Sequence, residues 1–332
     1  MFIVENYGVA ILLCVITMLC WGSWANTTKL TNKAWRFELL YWDYGFGILL
    51  TTLVLALTLG SNGTEGRAFI ADIRQADNGN ISSAFIGGVI FNLANILLVA
   101  AIGIAGMSVA FPVGIGIALV LGVIVNYISD PQGNPVLIFG GVALITLAII
   151  LNARAYQKMQ TNTEGGVSKK GLVLSVVSGC LMGLFYKYVA GSMVSNFNMP
   201  EAEKLSPYTA LVIFAIGIVV SSLVFNTIQM KRPFAGTALS FKDYFKGTLK
   251  DHLVGILGGV IWSIGMSFSI IASGKAGPAV SYGLGQGATV VAAIWGIYVW
   301  KEFDGAPAGT KRILNIMLLL YIAGLAMIIL SK

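Results

Sequence analysis

Apolar residues run almost unbroken for about twenty positions at a time along this chain, separated by short polar connections. Ten such runs fall at approximately 6–28, 38–60, 82–103, 107–129, 135–154, 171–194, 207–229, 253–273, 277–300 and 312–330. A bilayer core about 30 Å thick is crossed by roughly 20 helical residues, so the pattern predicts an all-α polytopic membrane protein with ten transmembrane helices. The runs are continuous rather than alternating with a period of two, which excludes the strands of a membrane β-barrel. The first run lacks a basic leader and passes into Trp21-Gly22-Ser23-Trp24-Ala25-Asn26 rather than a small-residue cleavage site. It therefore reads as a retained helix, not a cleaved signal.

Of the 332 residues, 57% are hydrophobic and 11% charged, against about 25% charged in soluble chains. That deficit excludes an ordinary cytosolic enzyme, a disordered chain and a nucleic-acid binder. Cys14, Cys20 and Cys180 lie in apolar runs without CxxC spacing, so neither a disulfide framework nor a metal site is expected. With one histidine, His252, and no HExxH or nucleophile-elbow pattern, little remains for hydrolysis, and no cofactor is expected.

The basic residues fix a direction. Fifteen of the 21 lie in the connections after the first, fifth, seventh and ninth runs: Lys29, Lys33, Arg36; Arg154, Lys158, Lys169, Lys170; Lys231, Arg232, Lys242, Lys246, Lys250; Lys301, Lys311, Arg312. Short basic loops stay cytoplasmic, which places both termini on the non-cytoplasmic side. The net charge of +7 then faces anionic lipid and needs no acidic partner.

At an offset of 171 residues, positions 87–127 align with 258–298 without a gap and share thirteen identities in 41 positions, among them Gly87/Gly258, Gly88/Gly259, Gly114/Gly285 and Tyr127/Tyr298. This indicates a duplication, with units 1–154 and 171–332 joined by a cytoplasmic linker 155–170. Each unit holds five spans, an odd number, so the second is inverted in the membrane, as in many alternating-access carriers. Glycines concentrate in spans three, four, eight and nine, where small residues let helices approach closely. Spans five and ten are almost wholly apolar and are expected to face lipid or a second copy.

Polar groups in hydrocarbon are costly without a partner or a wet cavity, so each one is a site candidate. Trp21 lies deep in span one and suits a cavity wall, while Trp24 reads equally as a headgroup anchor. Asn92 and Asn95 share one helix face and suit a neutral polar solute, the alternative being interhelical hydrogen bonding. Across the repeat they meet Ser263 and Met266, with Trp262 opposite Phe91. Tyr282 and Gln286 form a second aromatic and amide pair. Asp43, more than a turn inside span two, is the candidate carrier of a coupling proton, its alternative an ion pair with Lys29, Lys33 or Arg36. Lys187 either snorkels to the outer surface or gates by pairing with an acidic group or the solute. His252 and Glu302 read as boundary residues.

Several of these residues stand in motifs that resemble a family. Met1-Phe2-Ile3-Val4-Glu5, Tyr41-Trp42-Asp43-Tyr44, Asn95, Asn126-Tyr127 with Asp130, and above all Gly277-Pro278-Ala279-Val280-Ser281-Tyr282, Gly285-Gln286, Trp295-Gly296 and Trp300-Lys301-Glu302-Phe303 occur in order. The whole chain resembles a ureide permease-type member of the drug/metabolite transporter superfamily, related to the glucose/ribose porter group. The resemblance implies ten helices in two inverted repeats, with a cavity between spans one to four and six to nine. It also implies uptake of allantoin, uracil or related oxo-heterocycles, often with a proton. Plant members carry a long cytoplasmic loop with a phosphate-loop-like motif. Here that loop is short, and Thr163-Glu164-Gly165-Gly166 does not make GxxxxGK[ST], so ATP dependence is not expected.

Together these readings predict a secondary transporter of the bacterial inner membrane, monomer or homodimer, that imports a small neutral solute by alternating access. Trp21, Trp262 and Tyr282 would supply flat apolar walls, with hydrogen bonds from Asn92, Asn95 and Gln286. A pentose or hexose porter shares this mechanism. A drug exporter and a non-transporting receptor are further readings. An intramembrane enzyme would need a catalytic pair, and the sequence suggests no intramembrane His–carboxylate pair or paired aspartates.

Overall fold

Inside hydrocarbon no water bonds the backbone, so each apolar run satisfies its N–H and C=O groups within itself, as a helix. The computed structural model describes residues 1–32, 34–105, 107–159, 168–234 and 236–332, with the backbone alone at 107–109, 111 and 112. Lys33, Gly106 and the loop stretch 160–167, used above for sidedness, repeat and linker, lie outside the described residues. The helices are α1 Tyr7–Ser23, prolonged as a 3₁₀ segment Trp24–Leu30; α2 Phe37–Leu57; α3 Phe69–Gln75; α4 Asn78–Ala105; α5 Met107–Ser129; α6 Pro135–Met159; α7 Lys169–Ser192; α8 Pro207–Lys231; α9 Phe241–Tyr244; α10 Leu249–Ala276; α11 Pro278–Gly285; α12 Ala288–Ile294, prolonged by a π turn Trp295–Val299; and α13 Thr310–Ile329. Leaving out the short α3 and α9, and counting α11 with α12, ten spans result. Nine are long and apolar enough to cross a membrane, and α5 adds a shorter apolar stretch, Val113–Ser129. A lone bridge, Met193 to Leu205, is the only β pairing among the described residues.

The ends agree with the hydropathy pattern to within a few residues, and local chemistry explains the shifts. The eighth span starts at Leu249 rather than 253 because Thr248 and Asp251 form a capping box ahead of the apolar run. The ninth, expected as one helix, is broken. At Gly285-Gln286-Gly287 the bonding tightens, Gly287 N–H reaching Leu284 O at 2.9 Å and Val290 N–H reaching Gly287 O at 2.9 Å. Two glycines weaken the helix there, and the break carries Gln286.

Glycines set the crossings. A Cβ at Gly47 of α2 would lie 2.2 Å from Ile256 O of α10, and one at Gly259 would lie 2.1 Å from Tyr44 O. The α4–α8 crossing repeats this: Gly88 faces Phe214 O at 2.1 Å and Gly217 faces Phe85 O at 2.3 Å. At the α6–α13 crossing Gly141 and Gly324 each face the other's carbonyl oxygen, at 2.6 and 2.8 Å. Backbones this close are what small residues permit in lipid. They leave α1, α4, α7, α10 and α11–α12 arranged around a central hollow.

Candidate substrate cavity

The hollow, about 390 Å³ in volume, runs from the middle of the spans to the end where α1 and the π turn finish. Its deep end is aromatic. Trp21 of α1 and Trp262 of α10 stack with ring centroids 5.9 Å apart and planes 12° from parallel, and the Trp21 indole N–H donates to the Trp262 carbonyl at 3.2 Å. Room for the Trp21 ring comes from Gly265 and Gly285, where a Cβ would lie 2.8 Å from it on either helix. Phe91 packs on Trp262 at 4.4 Å, and Phe185 completes the floor.

Above this floor the wall is polar and neutral. Asn95 donates from Nδ2 to the Tyr41 hydroxyl at 3.2 Å, and its Oδ1 has no donor among the described residues. The side-chain amide of Gln286, at the helix break, lines the cavity with no partner of its own among those residues. Asn152 of α6 and Tyr321 of α13 line it too; the buried Asn152 Oδ1 lacks a hydrogen bond among the described residues, and the Tyr321 hydroxyl lies by Thr289. The Asn95 oxygen, the Gln286 amide and the Asn152 oxygen around one hollow form a ready set of contacts for a polar solute, which would supply the hydrogen bonds they lack. The formal charges of the lining, Lys29 and Glu302, sit at the mouth and pair at 3.2 Å. Glu302 also accepts from Tyr156 at 2.7 Å, Lys29 lies 4.1 Å over the Trp300 ring, and Trp300 donates to Asn26 at 2.6 Å.

At the opposite end the same helices are joined. Ser281 donates to the Ser269 carbonyl at 2.6 Å, and the Tyr186 hydroxyl meets Ser269 Oγ at 3.1 Å. Cys14 lies 3.8 Å from Ser281.

Of the residues expected in the site, the fold brings Trp21, Asn95, Trp262 and Gln286 together. Asn92 is not among the lining residues. It is fully buried, and its amide is consumed by Tyr41, Ser221, Ser222 and Ile218 O, tying α4 to α2 and α8. Tyr282 is likewise off the cavity: its ring fills the gap at Gly122 and its hydroxyl donates towards the carbonyls of Met182 at 3.0 Å and Ala118 at 3.2 Å. Lys187 is exposed on the outside of α7 and makes no ion pair among the described residues. Trp24, read as a headgroup anchor or a wall, lines the cavity and packs on Tyr44 at 4.7 Å.

Asp43 also stands apart from the cavity. Of the basic residues expected to pair with it, Lys29 is engaged by Glu302 and Lys33 lies outside the described residues. Asp43 accepts from Tyr244 at 2.7 Å and meets His252 Nδ1 at 2.9 Å, linking α2, α9 and α10. The sequence reading found no His–carboxylate pair because these residues are 209 positions apart. Burial and the adjacent Asp43 carboxylate push the Tyr244 hydroxyl well above its usual range, so it remains a donor.

Spans five and ten, expected to face lipid or a second copy, keep exposed apolar faces at Leu147 and Ile150 and at Leu319 and Ile322, and they also supply Asn152 and Tyr321 to the cavity. In each case a signal was there, a hydrogen-bonding side chain in or at the end of a largely apolar run, though Thr146 and Asn315 in the same runs offered it equally.

The chain matches the family described as Sugar transport protein over residues 12–330. Ureide permease 1 of Arabidopsis thaliana is 24% identical over 390 residues, covering 100% of this chain and 99% of the relative. Ureide permease 4 of the same plant is 23% identical over 398 residues, with the same coverage. A Listeria monocytogenes protein whose name describes sugar uptake is 27% identical over 227 residues, covering 67% of this chain and 70% of its own length. One solved crystal structure superposes with a TM-score of 0.62 at 13% identity, over 98% of this chain and 99% of that one, a likeness of fold alone. With a match that leaves out only the extreme ends, this multi-pass membrane protein belongs to the sugar transport protein family.

Proposed function

We infer that the protein is a secondary transporter that takes up a ureide, nucleobase or related small oxo-heterocycle by alternating access, releasing it unchanged. The observation that carries this reading is the cavity wall: stacked indoles beside neutral amides with hydrogen-bonding atoms to spare, with its charges already paired at the mouth. Flat rings stack on indole faces, and N–H and C=O groups of such a solute meet the amides of Asn95, Asn152 and Gln286. A charged solute would find no partner deep inside. Full-length similarity to proteins named ureide permeases supports the same substrate class. A sugar porter is the second reading, favoured by the family's description and by indole faces that also suit the C–H face of a pyranose.

The cycle is proposed to rock units 1–154 and 171–332, inverted copies joined by the linker 155–170. The exchanged Gly47–Gly259 and Gly88–Gly217 crossings support that division. With the basic loops cytoplasmic and the termini outside, the cavity opens inward, and the hydrogen bonds around Ser269 and Ser281 close its outer side. Asp43, paired with His252 and Tyr244, is the proposed site of proton coupling.

Uptake of labelled uracil, allantoin, D-ribose and D-glucose into proteoliposomes tests the reading. Asn95→Leu should abolish transport of whichever is taken up while the protein stays folded and inserted. Wild-type transport by that variant would remove Asn95 from the site, and absence of counterflow with every solute would favour a receptor.

A further inference from the structure

We propose that Tyr41, which does not reach the cavity, decides which end of the Asn95 amide the solute meets: it holds the carbonyl oxygen inward, so that this wall selects solutes carrying an N–H or O–H donor. The inference rests on the reading of the cavity as the transport site.

The argument starts on α8. Gly217 O and Ile218 O can only accept. Ser221 donates to Gly217 O at 2.6 Å and Ser222 to Ile218 O at 2.8 Å. Each hydroxyl has thereby used its one proton, and both meet Asn92 as acceptors: Asn92 Nδ2 lies 2.8 Å from Ser221 Oγ, 3.2 Å from Ser222 Oγ and 3.3 Å from Ile218 O. An Asn92 amide turned round would press its oxygen against three acceptors. The orientation is therefore fixed by its partners and not by the usual ambiguity between amide nitrogen and oxygen.

Asn92 Oδ1 consequently faces Tyr41 and takes its proton at 2.9 Å. Ser222 also approaches this oxygen, at 3.4 Å, a poorer contact than its bond to Ile218 O. Having given up its only proton, Tyr41 can receive one, and Asn95 Nδ2 supplies it at 3.2 Å. Tyr41 and Asn92 are fully buried, so no water can substitute for either link. Reversing Asn95 would set oxygen against oxygen, or make Tyr41 turn its proton away and strand Asn92 Oδ1 in a dry interior. What this orientation turns to the cavity is the acceptor, Asn95 Oδ1, beside the second N–H of Nδ2, for which no described residue is a partner. A relay over α8, α4 and α2 thus gives a neutral amide a fixed polarity, and Tyr41 is a positioning residue.

The test is Tyr41→Phe, which keeps the ring packed between Phe37 and Tyr44 and removes only the oxygen. Tryptophan fluorescence, through Trp21 and Trp262, reads binding of uracil against 1,3-dimethyluracil and of D-glucose against its fully O-methylated form, with full-length protein in detergent. The wild type should prefer whichever parent it binds over the methylated analogue by at least about tenfold, and Tyr41→Phe should narrow that ratio to roughly threefold or less. An undiminished ratio in Tyr41→Phe overturns the proposal.

A solute-free measurement separates this failure from failure of the transport reading. In protein labelled with ¹⁵N at asparagine, the Asn95 side-chain signals, identified by their loss in Asn95→Leu, should exchange with solvent at least about tenfold faster in Tyr41→Phe. Equal rates overturn the proposal whether or not either solute binds. If Tyr41→Phe does not fold, Asn92→Ser removes the next link with the residue type that stands at the equivalent position 263, and must move the same exchange rate in the same direction.

Discussion

A methyl group added at Gly88 has nowhere to go. Its carbon would lie 2.1 Å from the Phe214 carbonyl oxygen, and one at Gly47 would lie 2.2 Å from that of Ile256, whereas ordinary contact begins near 3.4 Å. Both obstacles are helix backbone, which no change of rotamer removes. To admit the methyl, α4 must part from α8, or α2 from α10, by about 1 Å along the crossing, in an interior packed like an organic crystal. Overfilled cores lose roughly 1–3 kcal/mol, and the closeness of these approaches puts Gly88→Ala and Gly47→Ala in the upper half of that range. Because the two crossings have matching geometry, the two losses should agree to about 0.5 kcal/mol, and the double variant should show their sum. Gly116→Ala is the control: a Cβ there meets nothing within 4 Å, and a better helix former gains roughly 0.5 kcal/mol. Intrinsic-fluorescence melting of the purified protein in detergent measures all four variants. A wild-type melting temperature for either crossing variant, or losses that differ by more than about 1 kcal/mol, would refute the equivalence of the crossings.

Tyr282→Phe should cost about 1 kcal/mol of stability, the value of one buried hydrogen bond, and leave solute affinity unchanged; a shifted Kd would return Tyr282 to the site. Asp43→Asn should abolish accumulation driven by a pH gradient while solute counterflow in proteoliposomes persists, and gradient-driven accumulation at the wild-type level would exclude Asp43 as the coupling group. Glu302→Gln breaks an exposed pair with Lys29 and should move stability by no more than about 0.5 kcal/mol in a thermal melt. Asn152→Leu removes an unpaired polar atom from the wall and should raise the melting temperature while weakening solute binding; binding as tight as the wild type would exclude Asn152 as a contact.

The spans were legible because the bilayer demands one length of apolar helix, and the sequence meets that demand ten times over. Side-chain neighbours were less so. The helical period places Asn92 and Asn95 on one face, and it cannot say that the serines of α8 absorb the first amide while the second meets open space. Tyr282 misled for a related reason. The turn joining them is intact, Gln286 N–H bonding Tyr282 O at 3.1 Å, yet the Tyr282 ring is taken up by the gap at Gly122 while the amide lines the cavity. Trp21 and Trp262 were readable from depth alone. Their stacking, like the Asp43–His252 contact, depends on a crossing between helices more than two hundred residues apart, about which local sequence is silent.

The matched crossings also explain why one asparagine serves the frame while its neighbour lines the cavity of the proposed site. At the offset of the repeat, Asn92 corresponds to Ser263, and each bonds a carbonyl on the helix it crosses: Asn92 reaches Ile218 O of α8 at 3.3 Å, and Ser263 reaches Ile48 O of α2 at 3.3 Å. The two carbonyls are themselves counterparts, at the same step from Gly217 and Gly47. A polar contact kept in both halves, with different side chains making it, is a property of the crossing and would persist whatever the cavity held. Three residues on, the halves diverge: Asn95 faces Met266, a buried apolar side chain. Nothing in the packing of a crossing requires an amide at this position, since the other half does without one. Chemistry present in one half alone is what a small solute of fixed polarity calls for, and the Asn95 oxygen is where that chemistry reaches the cavity.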